Sequence, residues 1–292
     1  MARCTGAAAR LPGDSRLGIN YLVLCVTMAL VLIRCRPVAA NSFNFPPSDF
    51  DILGADSGRL IGRGHYTLDE SAGAITLHGE NRYFDGQYDI EEDKLKSPGV
   101  GLAPKLLTFR HDFFDAGGSP SIAARLDVET GLGVCGKAEG GGLELTDEQF
   151  DFPDDTYAGA SVLLPIQRLV GRGEGEMLRL HVFNCAPTPK LIAVDVKPPP
   201  KSQTWAEYPG ELEKVDVKPN LGFWTVVIQP FIPKLAAWFD PSQGALLVGA
   251  QLQRYYKGPK IILVRRRQAQ IGKDANQDKA PSLGPEPSSS GR

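Results

Sequence analysis

The side chains best suited to catalysis are four histidines, and their spacing does not build a recognisable active site. His65, His78, His111 and His181 each fall in a segment whose pattern is typical of a strand. The adjacent pair His111 and Asp112 is the best candidate for a catalytic dyad, since proton transfer needs two such groups held together. No serine stands in a G-x-S-x-G nucleophile turn. We therefore interpret the histidines as strand residues and assign no catalytic residue.

Carboxylates form a second cluster around a predicted hairpin turn at Asp85-Gly86. Clustered oxygen ligands can bind calcium, but the spacing does not match an EF-hand loop. Alternation along the strands divides these side chains between two faces. The pattern therefore predicts a solvated acidic hairpin with no metal site, built from Glu80, Asp85, Asp89, Glu91, Glu92 and Asp93.

A glycine motif, GLGVCG at 131–136, matches the G-x-G-x-x-G pattern of dinucleotide-binding turns. That motif works only when a helix begins inside it and presents free N–H groups to the pyrophosphate. Here the chain continues as KAEGGG, which cannot begin a packed helix. We expect a glycine-rich strand crossing and no cofactor.

Two cysteines, Cys135 and Cys185, remain once the three in residues 1–40 are set aside. In an oxidising compartment such a pair forms one disulfide. The alternative is two buried thiols, because free cysteine behaves as a small apolar residue. Both readings stay open from the sequence, and neither cysteine has the neighbours that a zinc site needs.

Residues 1–40 have the layout of a secretion signal. Three arginines precede the apolar run 18–33, and small residues follow up to Ala40. The run is shorter than the roughly 20 residues of a membrane-spanning helix. We expect cleavage near Ala40 and a periplasmic or cell-envelope location, with an N-terminal anchor as the alternative because Arg34 and Arg36 flank the run.

The net charge argues against nucleic acid as a partner. The chain carries −2, and residues 1–40 hold five Arg and one Asp, so their removal leaves −6. An acidic protein repels a polyanion. No other apolar run approaches the length of a membrane span.

Strand-like segments separated by turn residues predict a mainly β protein, with one helical segment near 157–170. The absence of β-α-β alternation favours an antiparallel sheet, curved or wrapped into an open β-barrel. We divide the chain into a signal at 1–40, a flexible leading segment at 41–57, a half-barrel domain at 58–267 and a disordered tail at 268–292.

A curved sheet of this kind has a concave side that either encloses an apolar ligand or packs solid. Apolar residues that alternate along the predicted strands are the candidates for lining it. They are Ile75, Leu77, Ile192, Val194, Trp224, Val226, Ile228 and Trp238.

The second half of the chain resembles a bacterial family of exported proteins known only as a domain of unknown function. The resemblance covers about 150–266 and rests on element order and on the region from WFD at 238–240 to YKG at 256–258. It implies a curved antiparallel sheet similar to lipocalins and periplasmic lipoprotein carriers, and it supplies no active site.

Two functions follow as hypotheses. The first is a non-enzymatic envelope protein that binds or carries an apolar or lipid-like ligand. The second is a structural or protein-interaction module that docks an envelope protein through a sheet edge or the acidic hairpin.

Overall fold

The computed structural model describes residues 43, 45–71, 73–98, 103–172, 177–197, 203–205, 208–220 and 235–267. The predicted signal, the predicted tail and the lining candidates Trp224, Val226 and Ile228 lie outside the described residues. Strands dominate the described part and form one large, mostly antiparallel sheet. The predicted mainly β class is confirmed. None of the helices in these ranges is long and apolar enough to cross a bilayer.

The first half is an antiparallel meander in which each strand pairs with the next along the chain. The turn at Asp85-Gly86 joins its third and fourth strands, and Gly86 takes the positive φ of 88° that such a turn needs. The strands are β1 (Ser48–Gly54), β2 (Leu60–Ser71), β3 (Ala74–Tyr83), β4 (Tyr88–Lys96), β5 (Lys105–Phe114), β6 (Pro120–Asp127), β7 (Leu132–Glu139) and β8 (Gly142–Gln149).

The second half begins with the helical segment. The short strand β9 (Thr156–Tyr157) leads into a 3₁₀ turn (Gly159–Val162) and helix α1 (Leu163–Arg172). Pro165 does not break α1 because it lies in the first turn, where the backbone N–H has no intrahelical partner to lose. The remaining strands are β10 (Leu178–Cys185), β11 (Pro189–Lys197), β12 (Gln203–Trp205), β13 (Tyr208–Pro219), β14 (Leu235–Asp240), β15 (Leu246–Gln253) and β16 (Lys260–Arg265).

Strand β1 joins the two halves, since it pairs with β2 on one side and with β16 on the other. The sheet then curves so that its two ends approach each other without closing, and β7 packs near β10 and β11. A disulfide between Cys135 of β7 and Cys185 of β10 crosses this gap, with the two Cα atoms 5.6 Å apart. The open barrel is therefore bridged covalently where hydrogen bonding stops.

One expectation about a segment is wrong, and one regular strand was expected only as a glycine-rich strand crossing. The flexible leading segment expected at 41–57 contains β1, whose inward residues Phe50 and Ile52 are almost fully buried. The glycine run at 131–142 contains β7, a regular strand. Glycine fits at Gly133 because a Cβ there would lie only 2.7 Å from the ring of Phe183. Polar or glycine-rich composition hid both strands.

The concave side of the sheet is packed. Leu164 and Ile166 of α1 are fully buried and belong to the same apolar core as Ile75 and Leu77. A second, smaller cluster lies around Trp238, whose ring stacks on Trp205 with centroids 4.6 Å apart. The main core, with α1 inside it, thus fills the space that the sheet curves around.

Candidate functional site

Strand β4 carries three carboxylates into the packed interior. Asp89, Glu91 and Asp93 alternate along the strand, so all three point to the same face. They are 1, 4 and 0% exposed. The expected solvated hairpin is therefore wrong for these three, whereas Glu92 on the opposite face keeps 44% of its side chain exposed. Buried carboxylates of this kind require partners, because an unpaired buried charge is very costly.

Backbone N–H groups of the 3₁₀ turn supply the first partners. The Ala160 N–H donates to Glu91 Oε1 at 2.5 Å, and the Ser161 N–H donates to Asp93 Oδ2 at 2.9 Å. The first N–H groups of a helical segment lack the acceptors that later ones have, so the carboxylates bind them. The Ser161 N–H is shared between Asp93 and the Ala158 carbonyl, which lies 3.2 Å away. Gly159 makes this approach possible, since its φ is +49° and a Cβ would lie 1.9 Å from Glu91 Oε1.

His111 of β5 supplies a positive charge to the same cluster. Its Nε2 lies 3.0 Å from Asp89 Oδ1, and its Nδ1 lies 3.7 Å from Glu91 Oε2. Burial alone would lower the pKa of His111, but the two carboxylates outweigh it and raise that pKa above its ordinary value. The candidate dyad of His111 and Asp112, which the sequence analysis did not favour, is not formed, because the Asp112 carboxylate binds Arg110 instead.

The buried carboxyls of Glu91 and Asp93 differ in how readily they hold a proton. Burial raises the pKa of both carboxyls. The charge of His111 partly offsets this for Glu91, whereas the charge of Glu91 raises the pKa of Asp93 further. Asp93 is therefore the carboxyl of the two that holds a proton more readily.

Arg254, just after β15, joins the cluster from the other half of the chain. Its guanidinium carbon lies 3.6 Å from the centre of the Tyr83 ring, and its Nη1 donates to Gln87 Oε1 at 2.8 Å. Its Nε is 3.7 Å from Asp89 Oδ2. Asn81 completes the layer by donating to Asp89 Oδ1 at 2.8 Å. This polar layer can hold protons and fix the 3₁₀ turn and α1 against β4.

Metal binding is not indicated in the described ranges, where no three His, Cys, Asp or Glu side chains are placed to hold an ion. The polar layer is also closed to anything large, since its carboxylates are nearly inaccessible. Its role is therefore to position neighbouring elements.

A surface cleft of about 440 Å³ lies where those elements meet. Its walls come from the end of β4, the start of β5, the segment leading into β9, helix α1 and strand β10. The lining residues are Lys96, Ser97, Pro98, Ala103, Lys105, Asp154, Asp155, Tyr157, Pro165, Leu178, Arg179 and Leu180.

The floor of the cleft is apolar and fixed in place. Tyr157 is 1% exposed, and its hydroxyl donates to the Pro104 carbonyl at 2.6 Å, which ties β9 to the start of β5. Burial and the nearby charge of Asp155 raise the pKa of Tyr157 to about 12. The phenol thus stays neutral and keeps this contact through physiological pH.

The rim of the cleft carries three cations with different partners. Lys105 Nζ lies 2.6 Å from Asp154 Oδ2, and Arg179 Nε lies 3.0 Å from Asp195 Oδ1. Lys96 makes no ion pair with any residue that the structure describes. Lys96 is therefore the cation best placed to meet an anionic group on a molecule in the cleft.

The predicted lining residues lie elsewhere. Ile75, Leu77 and Val194 are core residues with at most 3% exposure, and Ile192 packs against the same core. Trp238 projects to the other side of β14 from Phe239, which joins the main core. These residues are apolar and alternate as predicted. They pack into the core that helix α1 fills, and not around a ligand cavity.

The cleft and the polar layer were both missed in the sequence. Asp89, Glu91, Asp93 and Leu95 do alternate on one face of a strand that ends in the buried Leu95. That alternation is the one signal of burial that the sequence offers. The partners come from positions far along the chain, so no local pattern identifies them.

Comparisons with known proteins identify one similar solved structure and no family. No family model matches the chain, and no curated protein matches it. Among solved structures, a β-barrel-like protein of domain of unknown function DUF1849 from Brucella abortus is similar, with 13% identity and a TM-score of 0.43. The match covers 77% of this chain and 98% of that one.

Proposed function

We propose that the protein is an exported, non-enzymatic β half-barrel that binds a lipid-like molecule with an anionic head group. The ligand lies in the cleft beside α1, with its apolar part on the floor and its head group at Lys96. Export and a cell-envelope location belong to the proposal and follow from the signal-like residues 1–40.

The observation that carries this proposal is the combination of apolar floor and cationic rim. The partly exposed Leu178 provides apolar surface, with the buried Leu180, Pro165 and Tyr157 behind it. A volume of about 440 Å³ is within the usual range of small-molecule pockets. Burying an acyl chain on such a floor is favourable by about 25 cal/mol per Å² of apolar area. Lys96 adds selectivity for an anion.

The cleft, and not the concave side of the sheet, is the site, because α1 already fills the concave side. The polar layer supports the cleft indirectly. Glu91 and Asp93 hold the start of the helical segment, and that segment carries Pro165 into the cleft wall. A ligand in the cleft therefore contacts rigid elements.

Binding of a dansyl-labelled undecanoate, followed by fluorescence, tests the proposal on the full chain. We expect saturable binding that Lys96→Glu weakens about tenfold, since it replaces an attraction to the carboxylate with a repulsion. Lys94→Glu is the matched control, because Lys94 lies two residues away on the same strand outside the cleft and pairs with Glu92. Equal effects of the two variants, or no saturable binding, would reject the cleft.

The apolar floor is tested by a second pair of variants. Leu178→Gln should weaken binding of the same probe, because it puts a polar group where the chain lies. Leu60→Gln is its control, since Leu60 is an exposed leucine of β2 away from the cleft. Mass spectrometry of an organic extract of the purified protein should recover a bound amphiphile, and its absence would count against a lipid-like ligand.

A further inference from the structure

Strand β8 is an open end of the sheet. Among the described residues it pairs with β7 alone, over eight residues in regular register. Every residue of β8 except Leu143 is exposed. The other end differs, because β9 has two residues and both are buried. The sheet thus has one long accessible edge.

One hydrogen bond shows which residues of β8 direct their backbone N–H and C=O groups towards the open edge. The Phe150 N–H donates to the Gly131 carbonyl at 2.8 Å, which makes this a hydrogen-bonded pair of the β7–β8 ladder. Such pairs alternate along an antiparallel ladder. The odd-numbered residues Leu143, Leu145 and Asp147 therefore direct their N–H and C=O groups away from β7, towards the open edge.

Natural edge strands are usually blunted by proline, lysine, bulges or shortness. The sequence of β8, GLELTDEQ, contains neither proline nor lysine, and its pairing with β7 has no bulge. Its only protection is negative charge, from Glu144, Asp147 and Glu148. Negative charge discourages pairing with another acidic edge but attracts a basic one.

The side chains of β8 indicate which kind of partner segment could bind to this edge. Leu143 and Leu145 lie over the backbone of Gly136, where a Cβ would be 2.8 to 2.9 Å from them, and Leu145 remains 54% exposed. The other face carries Glu144 and Glu148. Glu148 already lies 3.6 Å from the amine of Lys190, so a lysine is accommodated on that face.

We propose that β8 is a docking edge that takes an extended segment of a partner protein by β-strand addition. The segment alternates basic residues, facing Glu144 and Glu148, with apolar residues, facing Leu143 and Leu145. A second copy of this chain fits less well, because its own β8 would bring three further carboxylates to the same edge. This surface is independent of the proposed ligand cleft.

Fluorescence anisotropy with a labelled peptide of alternating lysine and valine, added to the full chain, tests the proposal. We expect Leu145→Pro to weaken binding about tenfold or more, because it removes an outward N–H that the added strand needs. Proline is tolerated on the solvent side of an edge strand, so folding should persist. Leu145→Val is the matched control and should bind as the unaltered chain does.

Charge is tested separately. Glu144→Lys should weaken peptide binding severalfold, whereas Asp56→Lys, the same charge change at an exposed turn, should leave it unchanged. Equal losses of peptide binding in these two variants would show that the peptide binds through nonspecific charge attraction, and this would overturn the proposal. So would equal binding by Leu145→Pro and Leu145→Val, or a concentration-dependent dimer abolished by Leu145→Pro, which would assign the edge to self-association.

Discussion

The stronger upward shift of the pKa of Asp93 than of Glu91 makes opposite predictions for two similar substitutions. Asp93→Asn keeps the observed contact, since its carbonyl oxygen can accept from the Ser161 N–H, and it puts a neutral side chain where burial disfavours the charged carboxylate. Glu91→Gln keeps the contact with the Ala160 N–H but removes the negative charge beside His111. We therefore expect Asp93→Asn to be tolerated and Glu91→Gln to be destabilising.

The magnitudes follow from the contacts. Asp93→Asn should lower the free energy of unfolding by less than about 1 kcal/mol or raise it, because the observed contact with the Ser161 N–H is kept. Glu91→Gln should cost about 3 kcal/mol, as expected when one member of a buried charge pair is removed. Asp93→Ala should lower the free energy of unfolding by about 3 to 5 kcal/mol, because it removes the 2.9 Å acceptor of the Ser161 N–H and opens a cavity in the core.

Urea unfolding at pH 7, followed by circular dichroism, measures these differences. The order Asp93→Asn, then Glu91→Gln, then Asp93→Ala is expected for increasing loss of stability. The reverse order for the first two would show that Glu91 holds a proton more readily than Asp93 and would refute this reasoning. A glutamate on the exposed face serves as the control, since Glu92→Gln should change stability by less than about 0.5 kcal/mol.

The same network determines whether the free energy of unfolding rises or falls with pH. Asp93 and His111 both have a pKa raised above their ordinary values of 3.8 and 6.5, so the folded chain holds their protons to higher pH than the unfolded chain. Their stabilising contribution is complete below those ordinary values and is lost as pH rises through the raised ones. The stability advantage of the unaltered chain over Asp93→Asn should therefore fall as pH increases above about 4.

Two further predictions concern the elements around the network. Replacing Cys135 and Cys185 together by alanine should lower the free energy of unfolding by about 4 kcal/mol, because the disulfide closes a loop with a sequence separation of 50. Adding reductant to the unaltered chain should cause the same loss. If neither treatment lowers the free energy of unfolding, the stabilising role of the disulfide is contradicted. Gly159→Ala should cost more than about 2 kcal/mol, since its Cβ would overlap Glu91 Oε1, whereas Gly171→Ala inside α1 should be neutral or gain up to about 1 kcal/mol. Thermal unfolding of both glycine variants checks the contrast, and equal melting temperatures would contradict the crowding at Gly159.

The sequence predicts the fold wherever local pattern and burial agree. Period-two alternation identifies β3 with its bounds, and the Asp85-Gly86 turn fixes where β4 begins. The helical segment is found because its apolar residues recur at helical spacing. Strands β1 and β7 are not recognised as regular strands in the sequence, because proline, aspartate and glycine are frequent around them. Tertiary packing overrides the low strand propensity of these residues.

The site was less predictable because its contacts are distant in sequence. Glu91 meets Ala160, Asp89 meets His111, and Arg254 reaches Gln87. A local pattern shows that carboxylates alternate on β4 but not that a helical segment will come to face them. Without that knowledge, alternating carboxylates are most simply read as solvated.

Strand β1 has a consequence for how the chain acquires its structure. The meander from β1 to β8 is made of neighbours in sequence and can pair as soon as they are available, because short loops close quickly. The opposite edge of β1, however, pairs with β16, the last strand among the described residues. Until β16 arrives, β1 exposes an apolar, unpaired edge at the centre of the future sheet. A chain truncated before Lys260 would therefore lack the partner of β1 and would keep an unpaired, aggregation-prone edge.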